Sequence, residues 1–110
     1  MSCTKGYAAD VRYAAPELIV HKDFCATTSS DTYSFALLIL ECVTQVPPFS
    51  DLKYDADLIY ARVGNRRCPF RPDGEPQLSD DLWDLMERCW SFVPKQRPPM
   101  EEVHGFFLWN

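Results

Sequence analysis

The stretch "SSDTYSFALLILECVTQV", Ser29 to Val46, decides the fold. Ser and Asp at its start suit a helix N-cap and first turn, and Pro47–Pro48 ends it. Between them the apolar positions fall on nearly every face of a helix. A helix of that kind is buried on all sides, so other elements must surround it. Its longest apolar run, Phe35 to Leu40, is broken by Glu41 and is far short of the ~20 residues that a membrane span needs.

The elements that could surround it are also helical. Pro16 suits a first helical turn, with Glu17 to Val20 behind it. Asp55 to Val63 reads as a helix with Leu58, Ile59 and Val63 as its apolar stripe and Gly64 as its stop. "SDDLWDLMERCWSFV" is the strongest of the set. Ser79 caps it, Asp80 and Asp81 sit in the first turn, and Leu82, Leu85, Met86, Cys89 and Val93 recur at helical spacing. A last helix starts at Pro98–Pro99, carries Glu101 and Glu102 early, and should bury Val103, Phe106 and Phe107. Residues 64 to 78 read as a loop, with Asp73–Gly74 as a turn between prolines. No useful apolar–polar alternation marks a strand. The expectation is an all-α domain of about five helices around a buried apolar central helix.

Composition narrows the function classes. The chain has 110 residues, enough for one domain, and is 46 % hydrophobic and 14 % aromatic, ample for a packed core. Its net charge of −5 argues against a phosphate-backbone binder, since that affinity comes from clustered Lys and Arg. The local basic cluster of Arg62, Arg66, Arg67 and Arg71 reads as a solvated loop. Five cysteines, at positions 3, 25, 42, 68 and 89, form no CxxC pair. They resemble reduced intracellular thiols more than a disulfide framework. With His21 and His104 as the only imidazoles, no zinc spacing appears. The N-terminus, "MSCTKGYAAD", lacks a secretory signal. A cytoplasmic protein is expected, with no membrane and no nucleic-acid partner.

Four motifs then occur in order. They are "RYAAPE" (Arg12 to Glu17), "SDTYSFALLILE" (Ser30 to Glu41), "GNRRCPFRP" (Gly64 to Pro72) and "LWDLMERCWSFVPKQRPPM" (Leu82 to Met100). Together they resemble the C-terminal lobe of a eukaryotic protein kinase, nearest the tyrosine-kinase-like branch, from the end of the activation segment onward. The resemblance covers nearly the whole chain from Val11. It implies a partial kinase domain over residues 1–110, with 1–10 a flexible remnant of the activation segment. Ala15, Pro16, Glu17, Asp31, Trp90 and Arg97 are then structural motif residues. Glu17 should pair with Arg97, a bidentate contact that closes one end of the lobe over a long sequence separation. Asp31 should anchor the catalytic loop and be the best-buried carboxylate; a plain helix cap is its alternative. Trp90 should pack in the core. Ser2, Thr4 and Tyr7 are candidate phosphorylation sites. Asp10 departs from the family at a position that is usually threonine in its serine/threonine branch, and Ala36 replaces an expected glycine.

The family's chemistry uses ATP and Mg²⁺. It needs a Gly-rich loop, a strand lysine with its helix glutamate, a His-Arg-Asp loop and a Asp-Phe-Gly aspartate. The sequence contains none of these: the glycines at 6, 64, 74 and 105 are scattered, and "KDF" at Lys22 to Phe24 lies on the wrong side of the Ala-Pro-Glu motif. No catalytic, cofactor-binding or metal-binding residue is therefore expected. Three readings follow: part of an ATP-dependent phosphotransferase that is inactive alone; a stand-alone, pseudokinase-like protein-interaction module; or a helical domain unrelated to signalling. The partner in the first two is a protein, whether the rest of a kinase, a substrate or a signalling partner. The missing loops should leave an apolar patch near Tyr33 or Leu37, favouring self-association.

Overall fold

A computed structural model describes residues 10–21 and 25–109. Most of the expected flexible remnant over 1–10, with Ser2, Thr4 and Tyr7, and the stretch from Lys22 to Phe24 lie outside the described residues. Among the described residues there are five α-helices: α1 (Pro16–Val20), α2 (Thr28–Thr44), α3 (Asp55–Ile59), α4 (Asp80–Cys89) and α5 (Met100–Trp109). A π-helical turn, Tyr60–Gly64, continues α3, and a 3₁₀ turn, Pro94–Gln96, precedes α5. No strand occurs among the described residues. The all-α architecture and its five helices are those the sequence predicts.

α2 is the axis. Thr27, rather than Ser29 or Ser30, caps it: its hydroxyl accepts the Ser30 N–H at 3.1 Å, and the Ser30 hydroxyl accepts the Thr27 N–H at 2.7 Å. At its other end Gln45 adopts a left-handed φ of 60°, and its N–H reaches back to the Glu41 carbonyl. Tyr33, Ala36, Leu37 and Leu40 form its buried face. Against them pack Leu82, Leu85, Met86 and Cys89 of α4, Val103 of α5, and Leu58 of α3. Trp83 and Trp90 meet edge to face at 5.4 Å within this core.

Burial of α2 is one-sided, which corrects the sequence reading. Phe35 is 39 % exposed and Leu38 48 %, whereas Tyr33 and Leu37 are buried. The open apolar patch is therefore not at Tyr33 or Leu37. It follows Phe35, Leu38 and Cys42, whose spacing of three and four residues makes a second stripe on the opposite face. Phe107 of α5, also expected inside, is exposed and touches Phe35 edge to face at 6.4 Å. Val93 is exposed as well, because α4 ends at Cys89 and the helical phase that would bury residue 93 stops there.

α4 follows its sequence signals closely. The Ser79 hydroxyl accepts the Leu82 N–H at 3.1 Å, and Asp80 and Asp81 occupy the first turn. α3 does not. The α-helix closes at Ile59, the backbone widens into the π turn, and Asn65 N–H bonds to the Tyr60 carbonyl at 3.1 Å. Ile59 is exposed, while Ala61 and Arg62 are buried beside Leu58. The expected loop over 64 to 78 is present, with Gly74 at a φ of 74° that a side chain would strain. Cys42, Cys68 and Cys89 are free thiols, and burial pushes the Cys89 thiol up to about 11. Cys25 is disulfide-bonded, so the expectation of reduced thiols does not extend to it.

Candidate functional site: the clamped segment before α1

Residues 10–15 run as an irregular segment across the helices, and four side chains fasten it. The first is local. The Asp10 carboxylate accepts the Arg12 N–H at 2.9 Å, and the Asp10 carbonyl accepts the N–H groups of Tyr13 and Ala14. The carboxylate that departs from the family pattern thus caps a tight turn.

Arg12 reaches outward. Its guanidinium donates to the carbonyls of Pro48, Phe49 and Leu52 at 2.9, 2.8 and 2.9 Å. That turn needs an anchor, since Phe49 sits at a left-handed φ of 55° and its carbonyls lie outside any helix ladder. Tyr13 donates its hydroxyl to Glu41, and its own carbonyl accepts the Ser34 hydroxyl at 2.7 Å. The bond to Glu41, with burial and the carboxylate charge, pushes the Tyr13 phenol up to about 12.

Arg62 reaches the same segment from below. It is 1 % exposed, and its two terminal nitrogens donate to the carbonyls of Val11 and Ala14. The guanidinium lies 5.3 Å from the Tyr33 ring centre and 5.0 Å from that of Phe49. The sequence reading placed Arg62 in a solvated basic loop. The reason it is buried was present in the sequence: residue 62 follows Leu58 by four, on the same face as Leu58 and Ala61. Its charge hides it from an apolar pattern.

The remaining clamp is the pair at the lobe's end. Arg97 donates to both Glu17 oxygens at 2.7 and 2.8 Å, to Ser91 carbonyl at 2.9 Å and to Ser29 carbonyl at 3.0 Å. The Arg97 side chain is 0 % exposed and that of Glu17 12 %. The guanidinium also lies 4.9 Å from the Tyr33 ring centre. Each nitrogen of this buried guanidinium thus has an acceptor, and Glu17 supplies the counter-charge, which is what makes its burial tolerable. Tyr33 stands between Arg62 and Arg97. Burial raises its phenol above the ordinary value, and the Arg62 charge opposes that rise.

The other motif residues are placed as follows. Ala15 is fully buried as the N-cap residue of α1, and Pro16 is buried at its first position. Trp90 is 2 % exposed in the core, and its indole N–H has no hydrogen-bond partner among the described residues. Asp31 is exposed on the first turn of α2, so it is not the best-buried carboxylate; Glu17 is more buried. Ser30, the residue before it, takes the inward position through the capping box, and one helical step turns Asp31 to solvent.

The basic cluster is dispersed by the fold. Arg67 makes a bidentate pair with Asp51 at 3.0 and 2.9 Å, Arg71 pairs with Asp80 at 2.8 Å, and Arg66 lies 4.3 Å from the Phe92 ring centre. Between the turn held by Arg12 and the loop after the π turn runs an open groove of about 340 Å³. Pro47, Pro48, Phe49, Pro69 and Phe70 line it, with Arg67 and Asp51 among its polar residues. Among the described residues no group of three or more His, Cys, Asp or Glu side chains could hold a metal ion. Among them, too, no helix is long and apolar enough to cross a membrane.

The sequence matches the protein tyrosine and serine/threonine kinase family over residues 1–107. It is 38 % identical over 97 residues to the human proto-oncogene tyrosine-protein kinase ROS, covering 84 % of this chain and 4 % of that protein. It is 33 % identical over 100 residues to mouse receptor-interacting serine/threonine-protein kinase 4, covering 89 % of this chain and 13 % of the relative. A third relative, chicken inactive tyrosine-protein kinase 7, is 35 % identical over 94 residues, covering 84 % of this chain and 8 % of its own. The chain belongs to the protein tyrosine and serine/threonine kinase family. It spans a small fraction of the length of these curated relatives, 4 to 13 %.

Proposed function

We propose that the chain is the protein-docking part of a kinase-like domain and that, by itself, it neither binds Mg·ATP nor transfers phosphate. The observation that carries this reading is the clamped segment. The side chains of Asp10, Arg12, Tyr13 and Arg62 hold residues 10–15 and that of Arg97 holds α1, which is the preparation a peptide-binding surface needs. The proline-lined groove beside the Arg12 turn adds a concave, partly apolar face of the kind that takes an extended peptide.

The family uses ATP and Mg²⁺, and the residues here do not fit that group. Phosphate binding needs cationic or backbone donors that are not already committed. Arg12, Arg62 and Arg97 donate to backbone carbonyls and Glu17. Lys53 and Lys95 are exposed, on the segment before α3 and on the 3₁₀ turn. Because phosphoryl transfer is almost entirely positioning and charge stabilisation, lacking those parts removes the mechanism. That one relative is named an inactive kinase accords with a non-catalytic role.

Calorimetric titration with Mg·ATP and a label-transfer assay test the reading. No saturable heat and no incorporation above a heat-killed control are expected. Micromolar binding or incorporation would overturn it. The second reading, an interaction module acting without further kinase sequence, is favoured by the exposed Phe35, Leu38 and Phe107, through which the chain would associate with a protein, including a second copy.

A further inference from the structure

We propose that Arg62 is the positioning residue of the docking segment, setting the conformation of Val11–Ala14 from the π turn behind it. The inference deepens the reading above, since the segment's importance rests on its being the docking surface.

Arg62 is chemically unusual among the buried groups. Arg97, equally buried, has the carboxylate of Glu17 as its counter-charge. None of the four ion pairs among the described residues involves Arg62. Among the described residues its charge is met by dipoles and ring faces: the Val11 and Ala14 carbonyls, and the rings of Tyr33 and Phe49. Its Nε is buried without a hydrogen-bond partner among the described residues. Burying a cation in this way is costly, and an apolar residue of similar volume would fill the space at less cost. What the apolar residue could not do is hold two carbonyls that lie three residues apart in a segment with no helix or sheet ladder of its own.

The geometry makes the hold directional. A planar guanidinium presents its donors in a fixed fork, so two carbonyls on one guanidinium fix both the height and the rotation of the peptide between them. The turn widened to π geometry places Arg62 beneath the segment, and Phe49 links the two arginines. Arg12 holds the Phe49 carbonyl, and Arg62 rests against the Phe49 ring. Segment, turn and π turn are therefore interlocked through Arg12 and Arg62, with Arg62 the buried member.

The test compares Arg62→Met and Arg62→Lys in the 110-residue chain by amide hydrogen exchange. Residues 12–15 report on the segment and residues 82–90 on the core. Arg62→Met is expected to speed exchange in residues 12–15 by about tenfold or more, as loss of two charge-assisted hydrogen bonds would, with little change in residues 82–90. Arg62→Lys keeps the charge but not the fork, and should restore only part of the protection. Equal acceleration in both regions, or none in residues 12–15, overturns the proposal. Should Arg62→Met fail to fold, the unaltered chain still decides. Its Arg62 guanidinium should show slowly exchanging, separately resolved N–H resonances, and a single averaged, fast-exchanging signal would overturn the idea. Neither readout depends on nucleotide binding, so failure here is distinguishable from failure of the proposed function.

Discussion

Arg97 and Glu17 are separated by 80 residues in the chain and by 2.7 Å in space. Removing one member of such a pair strands the other charge in the interior, at a cost of ~3–5 kcal/mol. Against a total stability of ~5–15 kcal/mol that loss is severe. Arg97→Leu should therefore lower the denaturation midpoint far more than Arg66→Leu, which removes an exposed stacking contact worth ~0.5–1 kcal/mol. Equal shifts in chemical denaturation would refute the assignment. Tyr13 offers a test by pH. Its folded-state value of about 12 lies above the ordinary 10.0, so folding favours the neutral phenol. That stabilisation is complete below pH 10 and is lost as pH rises from 10 toward about 12. In Glu41→Ala the main cause of the rise is gone, and the Tyr13 ring resonance should titrate closer to 10; an unchanged midpoint would count against the bond. At this scale the pairing of Glu17 with Arg97 was legible through the family motif. Arg62 was not, because a charged residue at a buried position interrupts the apolar stripe of Leu58 and Ala61.

Among the elements, α4 was the most legible. Its cap, its first-turn acids and its apolar spacing from Leu82 to Cys89 all hold in the structure, and only Val93, beyond the helix end, departs from the pattern. α2 was legible as a helix and misleading as to burial. Apolarity on all faces predicts burial on all faces only where enough other elements surround the helix. α4 and α5 cover the face of Tyr33, Leu37 and Leu40, and Phe35 and Leu38 remain open. An open stripe of large apolar side chains favours association. The unaltered chain should show a concentration-dependent mass in sedimentation, and Leu38→Glu should shift it to monomer with little change in melting temperature. A concentration-independent monomer before substitution would remove the case for the stripe. α3 was legible in position but not in kind, since the change from α to π geometry at Tyr60 has no signature in periodicity over so short a length.

Across the whole molecule, the helical class, the helix count, the starts of α1 and α4 and the family were all readable along the chain. These follow from local spacing, from residues with fixed backbone preferences such as Pro16 and Ser79, and from motif order along the chain. Which apolar residues lie inside, what Arg12 and Arg62 hold, and that Asp31 faces solvent emerged from the packing of the helices. Those outcomes depend on which elements meet, and long-range contacts leave no local pattern. Backbone carbonyls carry no sequence identity. A guanidinium that closes on Val11 and Ala14, or on Pro48, Phe49 and Leu52, selects its partners by where the fold brings them.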